Sequence, residues 1–177
     1  MIVAIDGPAG AGKSTVARRL AERLGFRYLD TGAMYRALTW LALERGASLE
    51  DEAALKELAE AHQVTFDEEG GVAIGGLDVT EAIRGPRIDR VVSTVARHPA
   101  VRAVMRDRQR ELADEGDAVI EGRDIGTVVA PGAEVKIYLI AEHGVRARRR
   151  QHERPEIGAD ALATDLRLRD ESDGESK

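Results

Sequence analysis

The stretch Gly7-Pro-Ala-Gly-Ala-Gly-Lys-Ser-Thr15 constrains the fold of this chain more than any other. It satisfies G-x-x-x-x-G-K-[ST], and its flanks are those the pattern needs. Before it, Met1-Ile-Val-Ala-Ile5 is a short apolar run rich in β-branched residues and predicts a strand. After it, Val16, Ala17, Leu20, Ala21 and Leu24 recur at helical spacing, with Arg18, Arg19, Glu22 and Arg23 on the other face. Strand, glycine turn and helix in that order predict a phosphate-binding loop. Gly7, Gly10 and Gly12 let successive N–H groups curl inward toward an anion, and the positive end of the helix dipole adds to that field. Gly7, Pro8, Ala9, Gly10, Ala11, Gly12, Lys13, Ser14 and Thr15 are thus the expected cradle of a nucleoside triphosphate. Lys13 reaches the β and γ phosphates, and the Ser14 hydroxyl is placed to ligate Mg²⁺.

A chain of 177 residues suits one domain or a core with a modest insertion, burying roughly 70% of its extended surface. With 43% hydrophobic and 33% charged residues it reads as a soluble globular protein. No apolar run approaches the ~20 residues of a bilayer span, so no membrane association is expected. The first residues enter a strand without a basic region or cleavage site, and cysteine is absent, which leaves no disulfide framework or thiolate metal site. A cytoplasmic monomer is the expectation. A net charge of −6 argues against general nucleic-acid binding, which needs surplus cations to release counterions. Of 26 cationic residues only four are lysine. Arginine forks match phosphate oxygens bidentately, although a whole-proteome bias explains much of such a ratio, so only the placement of particular arginines carries weight.

In chain order, Phe26–Leu29 predicts a second strand ending at Asp30-Thr-Gly32, then helices over Ala33–Arg45 and Asp51–Ala61. Val64–Phe66, Val72–Ile74 and Leu77–Val79 are very short strands separated by glycine pairs, which read as tight hairpins. This antiparallel piece breaks the strand–helix alternation and is read as an insertion. Helices follow over Pro86–Arg97 and Pro99–Ala113, each with proline where its missing N–H costs nothing. Asp117–Glu121 and Val135–Ile140 predict two more core strands, with Gly122-Arg-Asp124 after the first. From His143 the chain is basic, through Arg146, Arg148, Arg149, Arg150 and Arg154. A last helix is expected over Ala159–Arg169, before a polar tail over 170–177. Alternating strands and helices predict an α/β fold around a parallel sheet with helices on both faces, its ligands beyond the carboxyl ends of the strands. Asp30, Glu121, Arg123 and the glycine loop all fall at such ends.

A bound triphosphate serves as fuel, switch or phosphoryl donor. A guanine-reading N-K-x-D is absent, and Asp67-Glu-Glu-Gly70 matches D-x-x-G only by accident, inside the hairpin region. A kinase for an anionic acceptor needs cations from several segments, because two unit charges ~4 Å apart repel by about 4 kcal/mol at an effective dielectric near 20. Arg36, Arg102, Arg123, Arg146, Arg149, Arg150 and Arg169 lie on separate segments able to converge. A phosphate acceptor needs no general base, its second pKa being about 6. The scattered His62, His98, His143 and His152 read as surface or packing residues.

Several of these segments together resemble the bacterial cytidylate kinase family. They are Ile5–Thr15, Tyr28-Leu-Asp-Thr-Gly-Ala-Met-Tyr-Arg36, Val92-Ser-Thr-Val-Ala96, Pro99-Ala-Val-Arg102, Glu121-Gly-Arg-Asp-Ile-Gly-Thr-Val-Val129 and Arg169-Asp-Glu-Ser-Asp173. The resemblance implies ATP- and Mg²⁺-dependent phosphorylation of CMP and dCMP. It implies a P-loop core (residues 1–30, 105–142 and 159–177), a nucleoside-monophosphate-binding insert (31–104) and a mobile basic lid (143–158). Carried over by position, Arg36 and Arg123 hold the acceptor phosphate, while Ser93, Arg102 and Asp124 read the cytosine with Thr31 nearby. Arg169 and Asp173 contact the sugar and phosphate region, and Arg146, Arg149 and Arg150 close over the transferring group. Lys13 acts in catalysis, and Asp30 or Glu121 joins Ser14 at the metal through water. Cytosine presents an N4 donor beside N3 and O2 acceptors, so an acidic or hydroxyl acceptor beside an arginine is chemically apt.

The chain departs from that family in two places. Ser176 stands where an arginine is usual after R-D-x-x-D, and the family continues with an edge strand and a final helix. A truncated chain with an exposed sheet edge and reduced stability is the expectation. Two other readings remain at this point: a P-loop kinase for another nucleoside monophosphate or small anionic acceptor, and a nucleotide-binding module made inert by its shortened end.

Overall fold

A computed structural model describes residues 1–153 and 158–175, with the side chains up to residue 171 except those of 153 and 159. Its organising strand is β1 (Ile2–Asp6), followed by the glycine loop and α1 (Lys13–Leu24). β2 (Arg27–Asp30), β6 (Ala118–Gly122) and β7 (Val135–Tyr138) join β1 in one parallel sheet of order β2-β6-β1-β7. Register aligns the carboxyl ends. Glu121 is level with Ile5 on one side and Asp30 on the other, and Asp6 with Tyr138. The loop, Asp30 and Glu121 therefore share one end of the sheet, as the sequence predicts, and Asp6 joins them there.

Alternate residues of each strand point to opposite faces. Val3, Ile5, Tyr28 and Val119 pack with Ala17 and Ala21 of α1. Ala4, Leu29 and Ile120 pack with Ala33, Ala37 and Leu38 of α2 (Thr31–Glu44). Helices on both faces of a parallel sheet bear out the expected fold class. The second apolar cluster continues without a gap through α3 (Glu52–Ala61), β3 (Val64–Phe66), β4 (Val72–Ile74) and α6 (Pro99–Asp114). β3, β4 and β5 (Leu77–Asp78) form the small antiparallel sheet. Gly75 and Gly76, at φ of 57° and 79°, make its two-residue turn.

Several expected bounds shift. α2 begins at Thr31 because the Asp30 carboxylate caps it, accepting from Ala33 N at 3.0 Å. The helix expected over 86–97 is two pieces, α4 (Pro86–Asp89) and α5 (Val92–Ala96). The chain leaves helical geometry at Val91 (φ −121°), where β-branched neighbours disfavour a continuous turn. The basic segment is α7 (His143–Glu153), whereas Arg154 lies outside the described residues. The last helix, α8 (Ala159–Glu175), runs past Arg169 into the stretch expected to be a tail. Polarity does not end a helix, and that stretch holds no proline. Among the described residues, no helix is long and apolar enough to cross a membrane.

Candidate active site

The loop's shape depends on its glycines. A Cβ on Gly7 would lie 2.2 Å from the Leu139 carbonyl oxygen, and Gly12, at φ 94°, turns the chain into α1. Lys13 opens that helix, and its ammonium donates to the Pro8 carbonyl at 3.0 Å. Burial lowers the Lys13 pKa to about 8, helped by Arg123 and opposed by Glu121, Asp30 and Asp6. Behind it sits a buried carboxylate. Glu121 accepts from the Tyr28 hydroxyl, and the Thr31 hydroxyl donates to its carbonyl at 2.7 Å. Burial raises the Glu121 pKa and the charge of Asp30 adds to this, while hydrogen bonds from Tyr28 and Ser14 and the charge of Lys13 oppose it.

Asp6 holds the turn after β6. Its two carboxylate oxygens accept from Ile125 N and Gly126 N, each at 2.8 Å. Those amides open a short turn (Ile125–Val129) wound with an i→i+5 bond from Ala130 N to the Ile125 carbonyl, a geometry common at functional sites. The turn fixes Arg123 and Asp124 at the sheet's end. Burial pulls the Arg123 pKa down to about 10, and Arg169 adds to this. Asp124 accepts from Arg102 Nη2 of α6 at 3.0 Å. Burial raises the nearby Tyr35 hydroxyl pKa to about 12.

These groups border one cavity of about 600 Å³. Ala9, Gly10, Lys13 and Ser14 line it from the loop, and Thr31 and Arg36 from α2. Ser93 and Arg102 enter from α5 and α6, Arg123 and Asp124 from the turn after β6, and Arg150 and Arg169 from α7 and α8. Asp30 and Glu121 complete the floor. Other expected residues stand outside the wall. Arg146 donates to the Ala9 carbonyl at 3.2 Å and grips Asp170 of α8 with both Nη atoms, at 2.9 and 2.6 Å. That pairing raises the Arg146 pKa. Arg149 donates to the Ala11 carbonyl at 2.9 Å. Both brace the loop from behind. Gly7, Pro8, Ala11, Gly12 and Thr15 shape the loop without lining the cavity, and the Asp173 side chain lies outside the described residues. His62 and His98 bond the Leu58 and Leu49 carbonyls at 3.0 and 2.8 Å, in keeping with packing roles.

Sequence reasoning missed Asp89. It ends α4, a segment without a motif, and its only prior signal is an acidic residue among Arg84, Arg87 and Arg90. Its carboxylate pairs with Arg36, and Arg150 Nη2 stands 3.5 Å away. Asp6, Tyr28 and Asp170 also escaped assignment. All three sit inside motif stretches where nothing separates a ligand from a brace.

Among the described residues the lining carries eight cationic side chains against four carboxylates and no histidine. Such a site can hold two anions close together and stabilise charge as it moves between them, with no nucleophile of its own.

The profile of the cytidylate kinase family matches residues 3–177. The bifunctional pantoate ligase/cytidylate kinase of Synechococcus sp. (strain JA-3-3Ab) is 49% identical over 98% of this chain. The chain spans 34% of that protein's length. The cytidylate kinase of Bacillus licheniformis is 49% identical over 99% of the chain and 81% of its own length. That of Pelotomaculum thermopropionicum is 54% identical over 85% of the chain and 69% of its own length.

Proposed function

The chain belongs to the cytidylate kinase family, and from that premise we propose that it transfers the γ-phosphoryl group of ATP to CMP or dCMP, giving ADP and CDP or dCDP. An acceptor phosphate oxygen attacks the γ-phosphorus, the bond to the bridging oxygen breaks, and ADP leaves with that electron pair. The carrying observation is that arginines from α2, α6, α7, α8 and the turn after β6 border the same cavity as Lys13.

In this reading the loop and Lys13 take the triphosphate. Arg36 and Arg123 take the acceptor phosphate, already ionised at neutral pH and in need of no base. The Arg102–Asp124 pair, 3.0 Å apart, presents a donor beside an acceptor, which suits the cytosine edge, with Ser93 and Thr31 alongside. Arg169 and Asp173 serve the sugar and phosphate region. Of the lid arginines, Arg150 faces the cavity, whereas Arg146 and Arg149 reach a transferring phosphoryl group only by leaving the loop carbonyls.

The hard oxygen donors Ser14, Asp30 and Glu121 fit Mg²⁺ arriving with the triphosphate, the carboxylates acting through water. Among the described residues no group of three or more His, Cys, Asp or Glu is placed to cage a metal. Mg²⁺ binds through one or two carboxylates and keeps waters and phosphate oxygens in its shell. When bound, the ion neutralises charge on the phosphate oxygens.

A coupled ADP-release assay over CMP, dCMP, AMP, UMP and GMP tests the proposal. CMP and dCMP are expected to exceed the others in kcat/KM on the order of a hundredfold, and Lys13→Ala to abolish turnover with each. No ADP release with any of the five would remove the kinase reading. Equal turnover of all five would remove the cytosine assignment.

A further inference from the structure

Asp89 is an anion built into a site for anions. It is buried at the end of α4, and three arginines from distant parts of the chain meet it. Arg36 of α2 and Arg150 of α7 face its carboxylate, while Arg169 of α8 donates to its backbone carbonyl at 2.5 Å. The other carboxylates lining the cavity have different tasks. Asp30 caps α2, Glu121 takes the Tyr28 hydroxyl, and Asp124 pairs with Arg102.

We propose that Asp89 is a resident counter-ion of Arg36, read here as an arginine of the acceptor phosphate, and of the lid arginine Arg150 beside it, and that an incoming phosphate must take both from it. The proposal rests on reading Arg36 as a ligand of that phosphate. Two guanidinium groups this close repel each other in a partly dry cavity, and a carboxylate between them offsets the repulsion and keeps both side chains in place. A phosphate dianion offers more charge and more oxygens, so it can replace the carboxylate on the arginine forks. It then has a buried negative charge as its neighbour. A nucleotide meets that cost with contacts to its base and sugar. A bare phosphate ion has no such contacts and is held weakly. Asp89 thereby sets a threshold that admits nucleotides and turns away the small anions around them, a discrimination that needs a repulsive element as well as attractive ones.

Calorimetric titration of inorganic phosphate into the whole chain reads this directly. Asp89→Asn keeps the shape and removes the charge, and should bind phosphate about tenfold more tightly than the unaltered protein, equivalent to about 1.4 kcal/mol. Asp89→Glu restores the charge and should return phosphate affinity to within about twofold of the original. Phosphate affinity that is unchanged or weaker in folded Asp89→Asn overturns the proposal, since a merely structural role would only weaken binding. A second measurement needs no variant. The Asp89 carboxyl ¹³C resonance of the unaltered protein should move as phosphate saturates, and a stationary resonance also overturns it. These readouts do not depend on turnover, so a chain that binds phosphate as described and releases no ADP with any of the five nucleotides would lose the kinase reading and keep this one.

Discussion

Lys13 carries the sharpest consequence of burial at a single residue. Its ammonium is drawn down to about 8 by desolvation and by Arg123, so the ligand-free site holds it partly neutral just above that pH. A triphosphate favours the charged form. Binding above pH 8 must therefore take up a proton, and affinity should fall as pH climbs from about 8 toward 10, by up to about tenfold per unit. Calorimetry at pH 8.5 in two buffers of different ionisation enthalpy measures this, and zero uptake would contradict it. The sign for folding is opposite. Between about 8 and 10.5 the unfolded chain binds more protons at this group than the folded one, so its contribution to stability rises with pH across that window. At this scale the motif drew attention to Lys13 and Ser14, which line the cavity, but it could not show Arg146 and Arg149 on the loop's outer carbonyls. Nothing in an arginine's neighbours along the chain says which carbonyl its long side chain will reach.

Capping shows which element boundaries a sequence can carry. Asp30 and Asp51 each accept from the amide three residues on, at 3.0 Å, and start α2 and α3. Asp51 is exposed and remote from the cavity, so Asp51→Ala isolates the effect of the cap. It should lower stability by about 1 kcal/mol in urea unfolding and leave the rate of ADP release unchanged. A loss of activity at equal stability would mean that α3 communicates with the site. The expected helix over 86–97 failed for a different reason. Ile88, Val91, Val92, Thr94 and Val95 propagate a helix poorly, and the break after Asp89 leaves that carboxylate beside arginines from α2 and α7, which are remote in sequence. α8 outran its expected end because polar residues that resemble a tail also suit the wet side of a helix anchored by the buried Leu162 and Leu166.

Over the whole molecule, the sheet is covered in the middle and bare at one side. β1 and β6 are buried almost throughout, whereas every residue of β7 is exposed, and Tyr138 and Ile140 reach 61% and 76% exposure. Among the described residues no strand pairs with the outer edge of β7. An apolar edge of this kind invites pairing between chains. Ile140→Lys should raise the protein concentration at which light scattering reports self-association, with the unfolding midpoint unchanged within error, and an unaltered threshold would place the sticky surface elsewhere. Much of this architecture could be read in advance. Short apolar runs rich in β-branched residues marked the core strands, a 3.6-residue periodicity marked the flanking helices, and the glycine loop marked the end of the sheet where a ligand belongs. Those features are local: backbone geometry and the burial of one face select them within a few residues. What only the folded chain decided is how its charges pair. Asp6 bonds amides at 125 and 126, Asp170 locks Arg146, and Asp89 gathers Arg36, Arg150 and Arg169. Each pairing joins segments dozens of residues or more apart, and a buried charge takes whatever partner the topology brings within about 4 Å. The sequence supplied the charges and the fold chose their partners.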